Sequence, residues 1–182
     1  VKDFVAYFKF SSAQTKIVMH ANSMNFNGQI MIYDNEKNEV QPLENYFTTL
    51  EDPLADYDYL VIYLPKPMTD IELHFKDYRA EYGPLTGLYR STYDNKNIIG
   101  SQGQPFHARQ IFPNFDEPAF KAQISIEVCY HVDSNQIDNY FATSNMNIKT
   151  RIIDPNNEGL TCVQFNQSPK MSSYLFALTI TD

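Results

Sequence analysis

A chain of 182 residues that is 43% apolar and 20% charged is long enough to enclose one hydrophobic core and too apolar to stay disordered. Its formal charge of -8, with no local run of Lys and Arg, argues against nucleic acid or an anionic membrane surface as a partner, since both need a positive patch. No window approaches 18 apolar residues, so no transmembrane segment is expected, and Val1 opens in mid-pattern without a secretion signal.

The profile of 13 Tyr, 13 Phe, no Trp and only 6 Gly suits extended strands better than helices. Taken in chain order, period-two alternation marks FVAYFKF (4–10), TKIVMHANSMNF (15–26), GQIMIYD (28–34), YDYLVIYLP (57–65) and IELHFKDYR (71–79). It continues in GLYRSTYD (87–94), AQISIEVCYHV (122–132), MNIKTRII (146–153), LTCVQF (160–165) and SSYLFALTI (172–180). In the fifth stretch Ile71, Leu73 and Phe75 share one face and Glu72, His74 and Lys76 the other, the mark of a strand buried on one side. In the seventh, Ile124, Ile126, Val128, Tyr130 and Val132 are expected to line the core. Punctuation by Asn, Asp, Pro and Gly at short spacing predicts an all-β, antiparallel β-sandwich. No stretch carries a helical period; DEPAFK (116–121) allows one short turn, with Asp116 as cap and Pro118 in its first turn. No repeat or linker divides the chain, so residues 1–182 are read as a single domain.

Most chemistry can be set aside on spacing. The histidines His20, His74, His107 and His131 are scattered, and no H-E-x-x-H stands on a helical face, so no metal site is expected within this chain. G-x-S-x-G and the phosphate loop are absent. Cys129 and Cys162 have no metal-ligand spacing; a bridge between them is open, although so sparse a pair favours two strand thiols. The sequon Asn166-Gln167-Ser168 is followed by Pro169 and carries little weight. The adjacent carboxylates Asp116 and Glu117 make a poor acid/base pair, because sequence neighbours point different ways.

There remains SQGQPFHARQIFPNFDEP, residues 101–118. If the stretch is extended, Gln102 and Gln104 project to the same side. Two neutral amides offer acceptor oxygens and NH2 donors to an ammonium group without adding charge. Gly103 between them lets another backbone come close. The plain alternative is that both amides satisfy the backbone of their own loop.

The block GLYRSTYDNKNIIGSQGQPFHARQIFPNFDEPAFKAQISIEV, residues 87–128, resembles the amino-terminal β domain of the aminopeptidase N family of zinc metallopeptidases, the gluzincin aminopeptidases. It follows the pattern G-[FL]-Y-R-S-x-Y, [ST]-Q-x-[QE]-P, A-R and F-P-x-F-D-E-P-x-x-K-A at nearly every fixed point. TKIVMHANSMNF is similar to the family's early I-V-L-H-A strand, YDYLVIYLPKPM to the strand that follows, and SPKMSSYLFALTITD to its closing P-K-M-S-x-Y-L strand. The resemblance therefore covers essentially the whole chain.

It implies a saddle-like β domain whose partners are its own catalytic domain and a peptide substrate with a free N-terminus. In this family the zinc cofactor, its helix and the G-A-M-E-N loop lie in the next domain, so this chain alone is expected to bind no zinc and to be inactive. Carried over by position, Gln104 helps hold the substrate's α-amine and Gln102 lines the same subsite. Gly103, Arg109, Asp116, Glu117 and Lys121 support the loop, Arg109 pairing with Asp116 or Glu117 as a weak exposed pair of about 0–1 kcal/mol. Asn114, where many members have Cys, and Phe106-His107 depart from the pattern. Closeness to membrane-anchored members implies an extracellular or lumenal ectodomain, a cytoplasmic home being the alternative. Rival readings are the same domain in a catalytically inactive receptor or scaffold, a stand-alone β-sandwich binding module, and the family's epoxide-hydrolysing branch.

Overall fold

Alternation over Phe4–Phe10 and Ile71–Phe75 is realised as one long antiparallel pair. A computed structural model describes residues 3–22, 24–26, 30–40, 47–52, 57–94, 96–131, 139–154 and 159–181. They fall into two compact units, Val1–Glu81 with Phe112–Phe115 and Tyr82–Ile111 with Asp116–Asp182. Apart from two single turns of 3-10 helix, at Ala108–Gln110 and Ser173–Leu175, every described element is a strand.

In the first unit, β1 (Asp3–His20) pairs with β6 (Tyr57–Lys76), and β3 (Ile30–Tyr33) and β5 (Phe47–Asp52) also pair with β6. A short β4 (Glu39–Val40) extends β3, while β2 (Met24–Phe26) pairs with β7 (Tyr78–Ala80). The stretch 57–65 and the first six residues of the stretch 71–79, read separately, thus join through Pro65 and Pro67 into a single strand of 20 residues, and Tyr78 and Arg79 pass into β7. The prolines are tolerated because the ladder lapses there: register shifts lie between Lys9 and Gln14 and between Gln14 and Lys16, opposite Met68 and Tyr63. A proline takes least from a sheet where no ladder bond is asked of it.

One face of this sheet is the core. Ile17, Met19, Ile30, Ile32, Leu60, Ile62, Leu73 and Phe75 are all buried, each such side chain contributing about 1.5–3 kcal/mol relative to exposure. Phe112 and Phe115 complete it, their rings 5.7 Å from Phe4 and 5.3 Å from Phe8. The opposite face is not simply polar. Glu72 is buried there, its carboxylate 2.8 Å from Lys37 Nζ and 2.6 Å from His74 Nε2. Lys37 sits at positive φ in the turn after β3, where the Asp34 carboxylate accepts the backbone N–H of Glu36 and of Asn38.

The second unit contains a sheet in the order β13 (Phe141–Ser144), β17 (Leu178–Thr181), β10 (Lys96–Gln102), β9 (Gly87–Tyr93) and β8 (Tyr82–Gly83). Its last pair is parallel and the others antiparallel. A three-stranded sheet runs β12 (Glu127–His131), β15 (Leu160–Phe165), β14 (Ile148–Ile153), and β11 (Lys121–Ala122) pairs with β16 (Met171–Ser172). Its core is small: Ala142, Val163 and Phe165, with Ile126, Val128, Tyr130 and Ile180 half-buried against them.

Several expectations change here. DEPAFK makes a tight turn closed by Phe120 N–H to Glu117 O at 3.0 Å, and Lys121 already belongs to a strand. Ile124 and Ile126 precede β12, and Val132 lies outside the described residues. The SSYLFALTI stretch opens with a 3-10 turn before β17 begins. Cys129 and Cys162 stand directly opposite in the β12–β15 register with Cα atoms 4.1 Å apart, and they are bridged. The expectation of two strand thiols fails because register, invisible in the sequence, brings the pair together. Ser168 is buried, its hydroxyl accepting the N–H of Ile124 at 2.9 Å.

Candidate functional site

The segment 101–118 starts from the middle of a sheet. β10 is flanked by β9 and β17, so its last residues leave a rigid edge. Ser101 Oγ accepts the N–H of Leu178 at 2.8 Å, and Gln102 faces Gly87 in the β9 register. Gly87 has a φ of 63°, and a side-chain carbon there would come within 2.6 Å of Gln110 Cβ. Glycine meets both demands.

Beyond Gln102 the chain turns rather than continuing extended. Gly103 is buried, the Gln104–Pro105 peptide is cis, and His107 N–H donates to Gly103 O at 2.7 Å. A β-carbon at Gly103 would lie 2.7 Å from Tyr174 O and 3.0 Å from its Cα, so the close backbone approach expected of this glycine is real, and its neighbour is the Ser173–Leu175 turn. The turn changes the argument about the two glutamines, since period two does not carry across Gly103. What brings them together is a hydrogen bond: Gln104 N–H donates to Gln102 Oε1 at 3.3 Å. Gln102, Gln104, Pro105 and Phe106 are exposed, and the side-chain amide of Gln104 has no hydrogen bond among the described residues.

The residues that follow form a polar latch. Arg109 Nε donates to Asp116 Oδ2 at 3.0 Å, the backbone N–H of Arg109 reaches the same oxygen at 3.1 Å, and Arg109 Nη2 donates to Asp116 O at 3.1 Å. The other carboxylate oxygen, Oδ1, accepts Ser173 Oγ at 2.7 Å. Both side chains are almost wholly enclosed, 5% and 1% exposed. The expected weak surface pair is therefore a buried one. The Asp116 carboxylate binds Arg109 and Ser173, while Glu117 is exposed. The Arg109 guanidinium also lies 5.7 Å from the Phe106 ring. Ser172 Oγ donates to Pro118 O at 2.8 Å, so the 172–173 turn holds the segment at two points. Sequence reasoning missed Ser173, whose partner is 57 residues away.

Asn114 forms an isolated backbone bridge with His20 and turns its Nδ2 onto Phe112 O at 2.8 Å. Among the described residues, one cluster has metal-ligand proximity, Glu127 with Cys129 and Cys162, and both sulfurs are spent in the bridge. His74 is held by Glu72. These residues do not fit a catalytic zinc centre. No helix among the described residues is long and apolar enough to cross a membrane.

A family model described as the Peptidase M1 N-terminal domain matches residues 4–175. Aminopeptidase N of Mus musculus is 34% identical over 132 residues, 69% of this chain and 13% of the relative. Aminopeptidase Q of the same species is 33% identical over 124 residues, 65% of the chain and 21% of the relative. Probable aminopeptidase 1 of Saccharolobus solfataricus is 28% identical over 176 residues, 92% of the chain and again 21% of the relative. The chain thus spans about a fifth or less of the length of these relatives.

Proposed function

Because the chain belongs to the family of peptidase M1 N-terminal domains, we propose that its two compact units together form the amino-terminal domain of a zinc aminopeptidase. The whole protein removes residues from peptide N-termini, and the zinc and its ligands belong to a part of it outside residues 1–182. This chain contributes a neutral receptor for the substrate's free α-amine. Gln104 supplies its side-chain oxygen to the ammonium, and Gln102 lines the subsite, its own oxygen steadying the Gln104 backbone.

The observation that carries this reading is the contrast between an exposed pair of amides and the buried latch formed by the residues that follow them in the same segment. A group that must meet an ammonium to within a few tenths of an ångström needs a support that does not drift. Here Gly103 is pressed on the Tyr174 backbone, and the Arg109–Asp116–Ser173 bonds hold the turn that follows. A loop with exposed amides and no such support would serve equally well as surface.

The kinetics of Gln104→Ala in the full-length protein test the assignment. The expected result is a higher KM and a lower kcat/KM on peptides with a free amine, with little change on N-blocked ligands. Unaltered kinetics defeat it. Family kinship makes an ectodomain of a membrane-anchored protein the proposed setting.

A further inference from the structure

The bridge between Cys129 and Cys162 is unusual in being open to water: Cys129 is exposed, Cys162 half-buried, and Glu127, two residues before Cys129 on the same strand face, is exposed as well. The ligand atoms of these three residues all lie within 4.8 Å of one another. We propose that, once reduced, this face of β12 and β15 is a binding site for one thiophilic divalent cation of the zinc and cadmium class, gated by the redox state of the pair. Nothing in the proposed amine-binding role requires it.

The chemistry balances without a hidden partner. A dithiol reductant attacks one sulfur, passes through a mixed disulfide and leaves as its own cyclic disulfide, giving two electrons and two protons to the pair. The cation then displaces the two thiol protons to solvent as it takes the thiolates. Exposure of Cys129 provides the line of attack. Zinc–sulfur bonds of about 2.3 Å place two sulfurs on one tetrahedral ion roughly 3.8 Å apart. Cysteines directly opposed on paired strands, Cα atoms 4.1 Å apart, can open to that spacing by side-chain rotation alone. Glu127 offers the third ligand, hard enough for zinc and compatible with cadmium, and water completes the set. The neighbouring row across the three strands, Glu127, Gln164 and Thr150, keeps the site polar on that side, with Thr150 Oγ1 3.4 Å from Gln164 Oε1. The bound ion would then do in a reducing setting what the bridge does in an oxidising one, tying β12 to β15.

Cadmium chloride is the probe. The chain is reduced with a dithiol, freed of reductant without oxygen, and titrated while thiolate-to-metal absorption in the near ultraviolet is recorded. One cadmium per chain is expected for the reduced form and none for the bridged form, which is its own folded control. Glu127→Gln is expected to bind about tenfold more weakly, a difference of about 1.4 kcal/mol. Bound zinc should also slow return of the bridge in air. A reduced chain with two titratable thiols and intact strand circular dichroism that takes no cadmium overturns the proposal. So does loss of strand signal on reduction, or equal affinity in Glu127→Gln.

Discussion

The sheet around β6 and the segment 101–118 are held by opposite means. The first is an apolar face in which Ile17, Ile32, Leu73 and Phe75 exclude water, and its cohesion is largely non-directional. The second is a set of directional bonds, Arg109 and Ser173 converging on the one carboxylate of Asp116. An apolar core specifies volume and forgives small changes of shape, whereas a buried ion pair specifies angles and forgives little. The region that presents Gln102 and Gln104 to solvent is the one built for direction.

That difference is open to direct attack. Asp116→Asn keeps the volume and removes the charge, leaving Arg109 buried beside a neutral amide; about 3–5 kcal/mol should be lost in urea unfolding. If the loss is below about 1 kcal/mol, the latch is no more than a surface pair. Ser173→Ala strips one bond from the same carboxylate and should cost about 1–3 kcal/mol, with the mutated Asp116 background abolishing most of that effect in a double-mutant cycle. In the apolar region, Ile32→Val removes a single methylene and should cost only about 0.5–1.5 kcal/mol. A cost above that of Asp116→Asn would reverse the comparison.

The smallest effect is expected on the outer face of the first sheet. Lys37, and after it His74, hold the Glu72 carboxyl below the usual glutamate range against its own burial, and the same bond holds the Lys37 ammonium above its usual range. Glu72 thus contributes stability above the ordinary glutamate pKa near 4.3 that is lost as pH falls through its lowered value. Lys37 contributes below the ordinary lysine range and loses it as pH rises through its raised value. Glu72→Gln should flatten the acid limb of a stability-against-pH curve; an unchanged limb shows that the pair contributes nothing measurable.

The same contrast decides what could be read without coordinates. Alternation through Ile71, Leu73 and Phe75 is a local signal and placed the buried face correctly. It does not join 57–65 to 71–76, because Pro65 and Pro67 read as strand breakers unless the bulge opposite them is known. KNIIGSQ, which forms β10, lacks alternation and so carries no strand signal, although it ends at Gln102. Glu72 sits on the face that alternation marks as polar, yet is buried, since its strand neighbours Tyr7 and Tyr33 and the turn residue Lys37 crowd it. The resemblance offers Arg109 a partner in Asp116 or Glu117, and the structure selects Asp116. Ser173 and the bridge between Cys129 and Cys162 depend on long-range register, which no local pattern encodes. The roles of the two glutamines came from kinship with a family, not from the residues themselves.

Gly103 carries one more consequence. With the Tyr174 carbonyl 2.7 Å from where its β-carbon would be, a saturation library at this position should return glycine almost alone among folded clones, whereas libraries at 102 and 104 should return many polar residues. Conformation and chemical identity are thereby assigned to different positions of a three-residue run. Such an arrangement lets a lineage exchange the amine-facing group, amide for carboxylate or the reverse, without renegotiating the shape of the loop that bears it.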